Sequence, residues 1–312
     1  MRALVCGVTG QDGSYLAQFL LHKGYEVWGT SRDAVSSPQA NLVNLSIEKR
    51  VKLISMAPND FRSVLLAVER CDPDEIYYLA GQSSVGLSFE QPVETLESIV
   101  PGVLNLLEVV RLRKNSARLY NAGSSECFGD AGNIAANEET PFRPRNPYGV
   151  AKTSAHWLVA NYRESYGLYG CTGILFNHES PLRPKRFVTQ KIIQAARRIA
   201  GGSGERLALG RLDIYRDWGW APEYIESMWQ MLQQPEPQDF VIATGETHSL
   251  EEFVAEAFRI HGLDWRDCVD ISPALFRPTD IAYSLGDPAK ANSILGWQAQ
   301  KKMRDVVKAM MA

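Results

Sequence analysis

Three glycines spaced three apart, Gly7, Gly10 and Gly13, follow directly on the segment 2–6, apolar after Arg2, and constrain the fold more than any other feature of the chain. A run so short and apolar reads as a buried strand. The glycines let the backbone turn tightly behind it, and the next helix can point its N-terminal N–H groups at a pyrophosphate. The helical pattern of 15–22 ends near Gly24, and 26–30 reads as a second strand, so the chain opens as a βαβ unit. Further strands are expected at 51–55, 75–79, 118–122 and 171–176, with helices over 61–71, 92–112 and 147–166 between them. Such alternation predicts an α/β fold, a Rossmann-type doubly wound parallel sheet.

After Phe176 the rhythm changes to Pro-, Arg- and Gly-rich loops with shorter helices over 189–199, 221–232 and 250–261. The run 240–243 is expected to return to the sheet. The predicted division is a dinucleotide-binding Rossmann domain, 1–176 plus about 213–244, and a smaller, mostly C-terminal α/β substrate-binding domain, about 177–212 plus 245–312.

In an open parallel sheet, ligands bind beyond the carboxyl ends of the strands. Ser124 and Glu126 fall there, after the strand 118–122. Asn146-Pro147 reads as a helix start, with Asn as cap and Pro at the first helical position. Tyr148 and Lys152 then lie four apart on one face. A nearby ammonium and the positive helix end both favour the phenolate. Tyr148 is therefore expected to take the proton of a sugar hydroxyl as hydride leaves the same carbon. Ser124 is expected to hydrogen-bond that hydroxyl, and Glu126 to serve a second proton transfer next to the new ketone. At the end of the second strand an acidic residue would favour NAD by bonding the ribose 2′-hydroxyl, whereas Ser31-Arg32 suits a 2′-phosphate. NADP is expected, and Asp33 leaves NAD open as the alternative.

Charge and composition exclude other classes. With 33 Lys+Arg against 36 Asp+Glu, the net charge of -3 argues against a nucleic-acid partner, while a local arginine cluster can still hold phosphate. The five cysteines form no CxxC and are odd in number, which fits free thiols in a reducing compartment. No HExxH or His–Cys pairing occurs, so no metal is expected. No run approaches the ~20 apolar residues of a membrane span. The apolar run 3–8 reaches a glycine too soon for a signal peptide. A cytoplasmic protein without membrane partners is expected.

With these motifs assembled, the chain resembles the extended short-chain dehydrogenase/reductase superfamily and, within it, the GDP-mannose 4,6-dehydratase family. The likeness runs through GVTGQDGSYLA (7–17), RPRNPYGVAK (143–152), NYRESYGL (161–168), GILFNHESP (173–181) and FVTQKI (187–192). It continues through RDWGWAPEYIESMWQMLQQ (216–234), FVIATGETHS (240–249), FRPTD (276–280) and GDPAKA (286–291). The resemblance implies that Tyr148 is the base, Lys152 its ammonium partner, Ser124 the hydroxyl where the family usually has threonine, and Glu126 the proton shuttle at C5 and C6. It implies dinucleotide contacts from Gly7, Thr9, Gly10, Gln11, Asp12 and Gly13, from Ser31 and Arg32, from Leu79, Ala80 and Gln82, and from Tyr148, Lys152 and His178. It places Ser83, Ser124, Glu126, Asn177, Val188, Lys191, Arg216, Arg277 and Asp280 around a GDP-sugar. The implied activity converts GDP-mannose to GDP-4-keto-6-deoxymannose by internal hydride transfer through NADP. A related GDP-sugar dehydratase or reductase, for example on GDP-manno-heptose, and a non-catalytic nucleotide-sugar-binding module remain the other readings.

Several positions depart from the family pattern. Asp280 stands in place of glutamate, Gly81 and Ser84 replace alanine and a bulkier residue, and Met56-Ala57-Pro58 replaces a glycine–aspartate–apolar stretch near the adenine. Asp33 replaces the second arginine of an arm that, in the family, binds phosphate and joins dimers into tetramers. A homodimer through the Pro147 helix and its neighbour is therefore expected over a tetramer.

Overall fold

The computed structural model describes residues 1–114 and 116–312. The nucleotide half runs β1 (Arg2–Cys6), α1 (Gln11–His22), β2 (Glu26–Ser31), α2 (Ala40–Asn44), β3 (Lys52–Ser55), α3 (Phe61–Cys71), β4 (Glu75–Tyr78), α4 (Val85–Glu90), α5 (Pro92–Arg113), β5 (Arg118–Ala122), α6 (Pro147–Tyr166) and β6 (Gly170–Leu175). There follow β7 (Asn177–Glu179), α7 (Val188–Ala200), β8 (Leu207–Leu209), β9 (Tyr215–Arg216), β10 (Trp218–Trp220), α8 (Ala221–Gln233), β11 (Phe240–Ile242), β12 (His248–Ser249), α9 (Leu250–Arg259), β13 (Val269–Ile271) and α10 (Met303–Met311).

Seven strands pair in parallel in the order β11-β6-β5-β4-β1-β2-β3. The central strands are covered on both faces, so they are buried along nearly their whole length rather than at alternate residues, and Glu75, Asn121 and Thr172 are buried polar residues within them. One face packs α1 and α8 through Leu16, Leu20, Tyr224 and Met228, and the other packs α3, α5 and α6 through Val64, Leu106, Ala151 and Val159. The strand order reverses between β1 and β4, and the crevice at that point opens beside the Gly7 turn. The run 240–243 does return to the sheet, as β11 beside β6.

A separate core joins α7, α9, α10 and Trp218 through Ile192, Phe253, Val306 and Met310. Ala291, Trp297 and Ala299 pack instead into the core beneath α8. Among the described residues, no helix is long and apolar enough to cross a membrane, and no group of three or more His, Cys, Asp or Glu could hold a metal ion.

Candidate active site

The first glycine turn is shaped for a ligand. A Cβ on Gly13 would stand 2.3 Å from the Gly7 carbonyl oxygen, so only glycine lets α1 pack this close to the turn. A Cβ on Gly10 would meet nothing nearer than that same oxygen at 3.4 Å, so the space above it is open. Gly10 caps α1 without a side-chain acceptor, which leaves the first N–H groups of the helix facing that space. These features fit a dinucleotide pyrophosphate. Thr9 accepts from Asn41 Nδ2 through its carbonyl at 3.0 Å, fixing the turn's outer edge.

Gln11, Asp12 and His178 meet across the crevice. His178 Nε2 lies 3.1 Å from Asp12 Oδ2, its Nδ1 lies 2.7 Å from the Phe176 carbonyl, and its ring stacks on Tyr224. Gln11 donates to the His178 carbonyl at 3.2 Å and accepts from Ser180 Oγ at 2.8 Å. Burial opposes charge on His178, yet the Asp12 carboxylate raises its pKa above the usual value. Burial also works against an ionised Asp12, but the charge and hydrogen bond of His178 bring it down to about 2. Stability from Asp12 is present above its ordinary 3.8 and is lost as pH falls towards about 2. Stability from His178 is full below 6.5 and is lost as pH rises through its raised value. Thermal unfolding of the ligand-free chain followed from pH 6.5 upward is expected to show this loss, and His178→Gln is expected to flatten it. Parallel curves for the two chains would show that the pair adds nothing to the fold.

At the end of β2, Ser31 Oγ donates to the Asp33 carbonyl at 2.8 Å. The Asp33 carboxylate accepts from the Val35 and Ser36 backbones at 2.9 and 3.1 Å and from the Ser36 hydroxyl. It is spent within its own turn. Arg32 is exposed and, among the described residues, has no ion-pair partner. After β4, Leu79 and Ala80 line the crevice, where a Cβ on Gly7 would meet the Ala80 backbone at 3.0 Å. The Gln82 amide donates to the Ser84 carbonyl and Thr95 Oγ1, so it braces the start of α4 and α5, while Ser83 is exposed.

The reactive cluster forms where β5 ends and α6 begins. Ser124, 8% exposed, caps a short helical turn by accepting from the Glu126 backbone at 3.3 Å, and its side chain lies close enough to Tyr148 to act on the phenol's ionisation. Lys152 donates to the Ala122 carbonyl at 2.9 Å, with its ammonium 5.7 Å from the Tyr148 ring centre. The expected phenolate is not what the ligand-free fold favours. Burial pushes the Tyr148 phenol well up, and Ser124 opposes this only in part. Burial also pulls Lys152 down to about 8. The ammonium donates to a backbone carbonyl and makes no hydrogen bond to the phenol, so it does not offset the burial of Tyr148 through direct contact.

Asn146, read from sequence only as a helix cap, proves to hold Glu126 as well. Its Nδ2 donates to Glu126 Oε2 at 2.7 Å while its Oδ1 accepts from the Gly149 backbone at 2.7 Å. A Cβ on Gly149 would stand 2.7 Å from the Glu126 carbonyl oxygen, so α6 and the Glu126 turn are in direct backbone contact. Arg183 was also missed, because nothing in its spacing marks it. Its guanidinium stacks on Phe187 at 4.0 Å, lies 3.2 Å from Glu179, and acts electrostatically on Tyr148, Asp12 and His178.

A second group gathers on the C-terminal side. Arg216, 5% exposed, donates to the Tyr215 and Ile281 carbonyls and to Asp280 Oδ1 at 2.9 Å, and Arg277 approaches the same oxygen at 3.5 Å. Thr279 donates to the Arg145 carbonyl at 2.6 Å, tying this loop to the segment that leads into α6. Asn177 pairs in register with Trp218, Val188 is half-buried at the start of α7, and Lys191 is exposed without an ion-pair partner among the described residues. An open groove of about 1090 Å³, lined in part by Tyr215, His248, Arg259 and Trp265, shares no residue with the Glu126–Tyr148 cluster.

Comparison with known proteins gives a consistent picture. A family model described as GDP-mannose 4,6 dehydratase matches residues 4–310. GDP-mannose 4,6 dehydratase 1 of Arabidopsis thaliana is 44% identical over 319 residues, covering 99% of this chain and 88% of that protein. GDP-mannose 4,6-dehydratase of Sinorhizobium fredii (strain HH103) is 43% identical over 333 residues, covering 99% and 95%. Among solved structures, the UDP-glucose 4-epimerase of Thermus thermophilus in complex with NAD superposes with a TM-score of 0.85 at 26% identity, covering 99% of each chain.

Proposed function

Because this chain belongs to the GDP-mannose 4,6 dehydratase family, we propose that Ser124, Glu126, Tyr148 and Lys152 carry its reaction. The protein is a lyase that converts GDP-mannose to GDP-4-keto-6-deoxymannose with loss of water. It works with a nicotinamide dinucleotide. The observation that supports the residue roles is the placing of Glu126 beside the Ser124–Tyr148 pair at the carboxyl end of β5.

Held at the Gly7–Gly13 turn, the dinucleotide would supply a hydride acceptor and donor for the sugar and a positive charge that would offset the burial of the Tyr148 phenol. Ser124 orients the C4 hydroxyl and Tyr148 takes its proton. Lys152 holds positive charge behind them. Once C4 is a ketone, the C5 hydrogen is acidic. Glu126 takes that proton and passes it to the C6 hydroxyl as it leaves as water. As hydride is added at C6, a proton drawn from solvent through the same carboxylate is delivered to C5, and Tyr148 releases the C4 hydroxyl's proton to solvent. NADP is our choice of dinucleotide: Arg32 stands free at the end of β2 while Asp33 is occupied by its own turn.

Arg216 and Arg277 suit the sugar's diphosphate, with Asp280 holding both guanidiniums in place. We place the boundary between nucleotide and sugar domains after β6, with α8 and β11 returning to the first. Val93, Leu96, Val150 and Trp157 leave apolar surface on α5 and α6, at 66, 37, 41 and 59% exposure, which fits a homodimer through these helices. The five thiols are free and buried, which fits a reducing, cytoplasmic setting.

Incubation with GDP-mannose in heavy water, followed by mass spectrometry, tests the reading. The product should lack one water and carry solvent deuterium at C5. A chain that binds the nucleotide sugar and returns it unchanged would be a binding module instead.

A further inference from the structure

We propose that Asn146 is a positioning residue for elimination: it orients the Glu126 carboxylate and, through the same amide, locks it to the helix that carries Tyr148. This rests on the roles given above to Glu126 and Tyr148. The amide is used at both ends, Nδ2 to Glu126 Oε2 and Oδ1 from the Gly149 N–H, each at 2.7 Å. Asn146 is itself only 6% exposed. No other side-chain hydrogen bond or ion pair engages the Glu126 carboxylate among the described residues, so Oε1 is left for the substrate.

The chemistry of the side chain explains why asparagine serves. An N-cap needs only an acceptor, which serine, threonine or aspartate also provides. Gripping a neighbouring carboxylate needs a donor at the same time. Serine can cap but is too short to span both groups, and aspartate can cap but brings a second negative charge to Glu126. The Glu126 backbone N–H is held by Ser124 Oγ, so Asn146 restrains the freedom left to the carboxylate itself. Holding a proton-transfer group in one rotamer matters most in the step that uses it.

Asn146→Ser and Asn146→Asp test this, since both keep the cap. Each is expected to lower kcat by about 10- to 100-fold, the range for losing one charge-assisted hydrogen bond, with KM for GDP-mannose nearly unchanged. Oxidation at C4 should proceed while elimination lags, so the near-ultraviolet absorbance of the reduced dinucleotide should build up on the enzyme. Deuterium uptake at C5 should slow with it. The unfolding temperature of the ligand-free variants should stay close to that of the parent chain. Unchanged kcat in both variants overturns the proposal. So does a fall in kcat with no absorbance build-up, which would mean that Asn146 serves the helix alone. Glu126→Gln run alongside separates the two claims: if it turns over normally, the role of Glu126 itself fails, whatever Asn146 does.

Discussion

Glu126→Gln is expected to cut turnover of GDP-mannose by about 10²- to 10⁴-fold, the usual size of a lost acid–base group, while binding of the nucleotide sugar hardly changes. Amide and carboxylate have the same shape, and the amide keeps an oxygen to accept from Asn146 Nδ2. What it lacks is the capacity to take the C5 proton and deliver it to the departing hydroxyl. C4 oxidation precedes that need, so one equivalent of reduced dinucleotide should form and persist. Rapid mixing with single-turnover absorbance and product analysis checks this. Normal turnover would falsify the assignment of Glu126.

Tyr148→Phe is expected to lose about as much, 10²- to 10⁴-fold, but to stop earlier. The phenol is buried and neighbours Ser124, so removing its oxygen leaves the C4 hydroxyl with no group to take its proton. No reduced dinucleotide should appear in this variant. The contrast with Glu126→Gln is the informative part: one variant should halt before the colour change and the other after it. If both accumulate the reduced form, Tyr148 is not the first base.

Much of this was legible in sequence, for reasons that differ by residue. The glycine spacing and the strand–helix alternation are local, and they led directly to the sheet and to the placing of Ser124 and Tyr148 beyond the carboxyl ends of its strands. The start of α6 was legible because Asn-Pro is a local signal. The second contact of Asn146 was not, because Glu126 lies 20 residues away and only the fold brings the two together. The surroundings of the Tyr148 phenol were only partly legible for a related reason. Four-residue spacing put Lys152 on the right face but could not show that its ammonium turns to Ala122. Gln82, which the resemblance places at the dinucleotide, also engages Ser84 and Thr95 through its amide, contacts that sequence spacing does not show. Helix α10 was overlooked although Met303, Val306, Val307 and Met310 form a proper stripe. It has only nine residues, and charged residues crowd its remaining positions.

The backbone contact between Gly149 and Glu126 has a stereochemical consequence. The group we propose for the sugar's C4 oxygen and the one we propose for C5 and C6 are mounted on backbone segments in direct contact, which limits how far they can move apart. Their separation acts as a gauge, set when the chain folds and little changed between the two chemical steps. A hexose whose C4 oxygen and C5 hydrogen match that gauge passes from oxidation to elimination without being repositioned. A C4 epimer presents its oxygen on the other face of the ring, and a pentose has no C6 hydroxyl to lose. Discrimination among GDP-linked sugars can thus arise from the carbon skeleton at the reaction centre, even where the arginines grip every diphosphate alike.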